Sequence, residues 1–208
     1  LVTSSIKGEG KTLVSTHFAS LMSENKKVLL VGLDLRNPQI HKIMGIKNKN
    51  RPGLTNYLVE KSIKKDIESY IIKKDNLDIL LSGIIPPNPT QLISSDKLGL
   101  LLNQLRKKYD AIVLDTAPCL VVSDSFGLSN FIDQTLYVFR ANHTDVSITA
   151  FINEIQELSK FKNLSVILNG IGNSEFYGYK YGYQYGYKYG YKYNYNYGYG
   201  YGYGKSLS

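Results

Sequence analysis

The sequence predicts an α/β fold: a mostly parallel sheet flanked by helices, followed by a tail of different character. Three observations predict it. A β-leaning start, Leu1-Val2-Thr3, runs through the glycine-rich stretch Ser4-Ser5-Ile6-Lys7-Gly8-Glu9-Gly10-Lys11-Thr12 into a helical pattern. Continuous apolar runs such as Val28-Leu29-Leu30-Val31 read as strands buried on both faces of a parallel sheet. These runs alternate with helix-period segments, as they do when helices cover both faces of one sheet. With 208 residues, 43% of them hydrophobic, the chain is long enough for one α/β domain with a real core.

The strand, glycine-rich turn, Lys-Thr and helix form the layout of a phosphate-binding P-loop. Glycines let backbone N–H groups converge on phosphate oxygens without a Cβ in the way. The helix start adds unpaired donors and a favourable dipole. Lys11 is placed to reach the β- and γ-phosphates, and Thr12 to hold Mg²⁺. Ser5 stands where the common pattern has its first glycine. An ordinary glycine turn before a helix is the bland alternative, and the flanking strand and helix signals weigh against it.

The remaining elements follow in order. The first helix is expected from Lys11 to Glu24, with Leu13, Thr16, Ala19 and Leu21 near helical spacing. The strand Val28–Val31 ends in Gly32-Leu33-Asp34-Leu35-Arg36-Asn37-Pro38. Carboxylates at the carboxyl ends of parallel strands sit where ligands bind. Asp34 could ligate Mg²⁺ through water, accept a proton from an attacking hydroxyl, or simply cap a turn. Gly53–Leu58 reads as a turn and short helix, and Leu77–Leu81 as a strand. Ile84–Pro89 reads as an extended loop, because its prolines exclude helix.

Leu98 to Lys108 reads as a helix, followed by the strand Ala111–Leu114 closing on Asp115. Downstream of a P-loop, such an acidic strand end is the expected partner for Mg²⁺ or its water shell. Val121-Val122-Ser123-Asp124 is expected to start a further helix. Gln134–Arg140 reads as a strand, and Val146–Ser159 as an amphipathic helix with Ile148, Phe151, Ile152, Ile155 and Leu158 inward. Val166–Asn169 reads as the last strand, with Asn169 on the ligand side.

No apolar run of the length needed to span a membrane occurs. The chain opens without Met inside an apparent strand, so an upstream part is expected to be missing. Cys119, the single cysteine, excludes an internal disulfide framework and fits a reducing compartment. His17, His41 and His143 show no metal-ligand spacing. The formal charge is +8, and the lysine pairs are dispersed rather than gathered into one stripe.

Composition changes abruptly after Asn173, dividing the chain into a domain at 1–173 and a Tyr/Gly-rich tail at 174–208. Every second residue is tyrosine: Tyr177, Tyr179, Tyr181, Tyr183, Tyr185, Tyr187, Tyr189, Tyr191, Tyr193, Tyr195, Tyr197, Tyr199, Tyr201 and Tyr203. Between Tyr177 and Tyr203 there are no aliphatic residues to build a core, so the tail is expected to be flexible. Three roles compete for it: an adhesive low-complexity segment, a stacking platform for single-stranded nucleic acid, or an array of phospho-acceptors for the adjacent nucleotide site.

Taken together, Gly8-Glu9-Gly10-Lys11-Thr12, Asp34-x-Arg36-x-Pro38, Ile85-Pro86-Pro87-Asn88-Pro89, Tyr109-Asp110 through Asp115-Thr116-Ala117-Pro118, Arg140, Leu168-Asn169 and the tyrosine cluster resemble the bacterial tyrosine kinases of capsule and exopolysaccharide export. The resemblance spans nearly all of the chain. It implies a P-loop NTPase fold that uses ATP and Mg²⁺, with Lys11, Asp34 and Asp115 catalytic and Thr12, Asp34 and Asp115 at the metal. Lys7, Gly8, Glu9, Gly10, Lys11, Thr12 and Leu13 would hold the nucleotide, Asn169 would meet the adenine, and Arg140 would line the site. It further implies autophosphorylation of the tail tyrosines, largely between subunits of a ring-like homo-oligomer. The expected partners are a membrane polysaccharide co-polymerase and a protein-tyrosine phosphatase, not nucleic acid, and the expected place is cytoplasmic beside an inner-membrane protein. A partition-type P-loop ATPase that switches association without phosphorylating itself is the alternative. The chain departs from the family pattern at Gly32, where an aspartate is usual, at Lys7, where proline is usual, and at Ala117, where proline is usual.

Overall fold

The computed structural model describes residues 1–47, 51–60 and 66–172. In chain order the elements are β1 (Val2–Ser4), α1 (Lys11–Met22), β2 (Val28–Gly32), α2 (Ile40–Ile43), α3 (Leu54–Val59), β3 (Ile72–Lys74), β4 (Leu77–Leu80), α4 (Pro89–Ile93), α5 (Asp96–Leu105), β5 (Ala111–Asp115), β6 (Thr135–Arg140), α6 (Ile148–Glu157) and β7 (Leu164–Asn169). Two 3₁₀ segments lie at Ile67–Tyr70 and Ser123–Phe131.

The seven strands make one sheet in the order β3-β4-β2-β5-β1-β6-β7. All pairings are parallel except β3 with β4, a hairpin whose turn residue Asp75 has φ 53°. β2 shows why the apolar runs are continuous. Leu29 and Val31 belong to the core on one face, while Val28 and Leu30 belong to the core on the other. α5 and α6 supply Leu98, Leu101, Leu102, Leu105, Ile152 and Ile155 to the first core; α1 supplies Ala19 to the second.

Several elements differ from expectation. α1 buries Thr16 and Ala19 as expected, with Ser15 beside them, but leaves Leu13 and Leu21 exposed. Small side chains let the helix approach the sheet closely enough to start directly from the phosphate loop; Ser15 and Thr16 satisfy their hydroxyls on the Thr12 carbonyl at 3.0 and 2.6 Å. The extended loop over Ile84–Pro89 stops at Asn88, because Pro89 opens α4 in the first turn, where its missing N–H costs nothing. The segment after Val122 is 3₁₀ rather than α-helical. On α6, Ile152 and Ile155 are buried, but Leu158 lies outside the helix and is exposed. The tail from Ser174 lies outside the described residues, as do its tyrosines.

Candidate active site at the phosphate loop

Sheet order brings the carboxyl ends of β2, β5 and β1 side by side. The loop after β1 carries Gly8 and Gly10, both at positive φ, 93° and 100°. Gly10 caps α1 without a side chain, so no side-chain oxygen occupies the donors of the first helical turn. A Cβ at Gly10 would overlap the Asn169 amide, and with φ at 100° any other residue there is strained.

Lys11 reaches across this junction. Its Nζ lies 2.9 Å from Asp34 Oδ2 and 3.4 Å from Thr12 Oγ1. Asp34 Oδ1 accepts from the backbone N–H groups of Asn37 at 2.9 Å and Arg36 at 3.3 Å. The capping role of Asp34 is thus present in the turn after β2, and its other oxygen faces Lys11. Its backbone is fixed as well, since the N–H groups of Leu33 and Asp34 donate to the Asp115 carbonyl at 2.7 and 2.9 Å.

Asp115, at the end of β5, is 1% exposed. Burial pushes its carboxyl up to about 6, opposed by the Lys11 charge and by Thr12 and reinforced by the Asp34 charge. Its Oδ1 has no hydrogen-bond partner among the described residues. A buried, unpartnered carboxylate oxygen beside a threonine hydroxyl and a second carboxylate is a donor set of the oxygen type that Mg²⁺ takes. The residues present thus fit a hard cation held jointly with phosphate oxygens. Among the described residues no group of three or more His, Cys, Asp or Glu side chains is placed to hold a metal by itself.

The other face of the loop meets the ends of β6 and β7. Arg140 Nη1 donates to the Gly8 carbonyl at 2.9 Å, and Asn169 Nδ2 to the Glu9 carbonyl at 2.9 Å. Ser5, in the place of the usual first glycine, is fully buried, and its hydroxyl accepts from Tyr137 at 2.9 Å. Serine fits there because β6 supplies a partner for its side chain.

A family model described as AAA domain matches residues 2–168. The tyrosine-protein kinase YwqD of Bacillus subtilis (strain 168) is 35% identical over 182 residues, 86% of this chain and 76% of that protein. The chain belongs to the bacterial tyrosine-kinase family. The tyrosine-protein kinase etk of Escherichia coli (strain K12) is 30% identical over 173 residues, 82% of this chain but 23% of its own length. This chain therefore spans most of one relative and less than a quarter of the other. The crystal structure of the VpsO kinase domain superposes with a TM-score of 0.74 at 37% identity, covering 82% of this chain and 83% of that one. The enzyme class is accordingly protein-tyrosine kinase, on a P-loop NTPase fold.

Within this bacterial tyrosine kinase, the departure at Gly32 has a local cause. A Cβ there would lie 2.6 Å from Ser82 Oγ, and that hydroxyl donates to the Gly32 carbonyl at 2.9 Å. Ser82 occupies the space an aspartate side chain would need. Lys7 and Leu13 flank the loop on its exposed side. Three contacts were not legible in the sequence: Tyr137 on Ser5, His143 on the Lys7 carbonyl and Thr144 on Glu9. Each partner lies more than a hundred residues away, and no local pattern marks it.

Proposed function

We propose that the chain transfers the γ-phosphoryl group of ATP to tyrosines of its own C-terminal tail, mainly between subunits. The observation that carries this is the convergence of Lys11, Asp34 and Asp115 beside the glycine loop. Lys11 and the loop N–H groups would neutralise phosphate charge, and Thr12, Asp34 and Asp115 would hold Mg²⁺. Held there, Mg²⁺ would supply neutralisation of phosphate charge. The phenolic oxygen bonds to the γ-phosphorus as the bridging bond to ADP breaks, and the phenolic proton passes to Asp34. A tyrosine with its ordinary pKa of about 10 arrives neutral, so a nearby carboxylate helps. Positioning accounts for most of the remaining barrier reduction. By family resemblance Asn169 would meet the adenine and Arg140 the nucleotide; here both donate to loop carbonyls and so act on the loop directly.

The biological setting follows from the same reading: a ring-like homo-oligomer beside a membrane polysaccharide co-polymerase, on the cytoplasmic side, reset by a protein-tyrosine phosphatase and regulating polysaccharide export. Among the described residues no helix is long and apolar enough to cross a membrane. The tail carries four lysines and one glutamate. Each phosphate adds about −1.5 to −2 charge, so two or three would reverse the sign of the tail and loosen its docking on a neighbour.

The test is intact mass after incubation with Mg-ATP, with Lys11→Met alongside. A ladder of phosphate additions mapped to tail peptides, absent in Lys11→Met, is expected. ADP production without mass gain would replace this reading with a partition-type switch ATPase.

A further inference from the structure

Three consecutive carbonyls of the phosphate loop each accept one side-chain donor from the carboxyl ends of β6 and β7. The Lys7 carbonyl faces His143 Nε2 at 3.1 Å, the Gly8 carbonyl Arg140 Nη1 at 2.9 Å, and the Glu9 carbonyl Asn169 Nδ2 at 2.9 Å. A carbonyl only accepts, so His143 Nε2 carries the proton. The Glu9 side chain closes the arrangement. It is fully buried, its Oε2 accepts from the Ile6 N–H at 2.7 Å, and its Oε1 accepts from the Thr144 hydroxyl. That hydroxyl in turn accepts from the Arg140 N–H at 2.8 Å, and the Thr144 N–H donates to the Arg140 carbonyl at 2.9 Å. Arg140, His143 and Thr144 thus form one tight turn after β6 that grips the loop at three points.

In a planar trans peptide the C=O of one residue and the N–H of the next point in opposite directions. Holding the carbonyls of Lys7, Gly8 and Glu9 outward therefore turns the N–H groups of Gly8, Glu9 and Gly10 inward. Those are the donors that an anion-binding nest requires. Glu9, for all its charge, has both oxygens engaged on the outside of the loop. It shapes the loop and does not reach a phosphate.

We propose that His143 and Thr144 are positioning residues: with Arg140 and Asn169 they clamp the carbonyl side of the phosphate loop and preset its three inward donors for nucleotide phosphates. This rests on the nucleotide-binding part of the proposed function. The experiment compares full-length wild type, Thr144→Val, Thr144→Ser and His143→Ala. Two quantities are read: Mg-ATP affinity by calorimetry, and amide hydrogen exchange at Ile6 and across β2 and β5. Thr144→Val is expected to weaken Mg-ATP binding about tenfold, the usual scale for losing a hydrogen bond to a charged group. Ile6 exchange should quicken by a similar factor while β2 and β5 are unchanged. Thr144→Ser should restore both, and the exposed His143→Ala should shift affinity in the same direction. Unchanged affinity and Ile6 exchange in Thr144→Val and His143→Ala would overturn the clamp, as would uniform acceleration across the sheet. If wild type binds no Mg-ATP, the nucleotide reading fails, and the clamp is then decided by Ile6 exchange alone.

Discussion

Lys11 Nζ and Asp34 Oδ2 lie 2.9 Å apart with side chains only 11% and 4% exposed. The pair joins the start of α1 to the loop after β2, across the intervening end of β5. Removing one partner of a buried pair strands the other charge, at about 3–5 kcal/mol. Lys11→Met is therefore expected to lose stability on that scale in denaturant unfolding, and the double variant Lys11→Met/Asp34→Asn to recover part of it. If Asp34→Asn costs as much in the Lys11→Met background as in wild type, the two groups are not coupled.

Asp115 links stability to pH. Its folded-state value of about 6 lies above the ordinary 3.8. Between those values the native state keeps a proton that the unfolded chain has lost. The contribution is full below the ordinary value and is lost as pH rises through the folded value, by roughly 3 kcal/mol. In metal-free buffer, Asp115→Asn should flatten this slope and be more stable than wild type at neutral pH, while abolishing phosphate transfer. Parallel unfolding curves for the two proteins from pH 4 to 7 would refute the assignment.

Gly10→Ala should be costlier than Gly8→Ala. Both positions have positive φ, which costs a non-glycine residue about 1–2 kcal/mol. At Gly8 the new Cβ lies 3.1 Å from His143 Nε2, so the imidazole need give by only a few tenths of an ångström. At Gly10 it runs into the Asn169 amide that is bonded to the loop. Melting temperature and Mg-ATP affinity should both fall further for Gly10→Ala.

Placing an aspartate at Gly32 should not raise activity. The added side chain would displace Ser82 Oγ, 2.6 Å from the new Cβ, and press on the Ser82 backbone N at 3.0 Å. Gly32→Asp is expected to lower the melting temperature by several degrees without raising phosphate incorporation, consistent with about 1–3 kcal/mol for overpacking. Higher incorporation in Gly32→Asp would show that the missing carboxylate limits the enzyme.

The sequence by itself determined the fold class, the strand-loop-helix unit around Lys11 and the two acidic strand ends, Asp34 and Asp115. These are local signals: apolar runs, helical spacing, and glycines next to a Lys-Thr pair all fall within a few residues of one another. Only the tertiary structure decided which side of α1 is buried, why glycine sits at position 32, and what holds the loop from behind. Periodicity marked Leu13, Thr16, Ala19 and Leu21; the sheet buries Thr16 and Ala19 together with Ser15, and leaves the two leucines exposed. Ser82 excludes a side chain at Gly32 because β4 lies beside β2. Thr144 meets Glu9 across 135 residues, and Asn169 meets it across 160, because the sheet places β6 next to β1 and β7 next to β6. Strand order is set by the packing of the whole core on both faces of the sheet, and no local pattern encodes it.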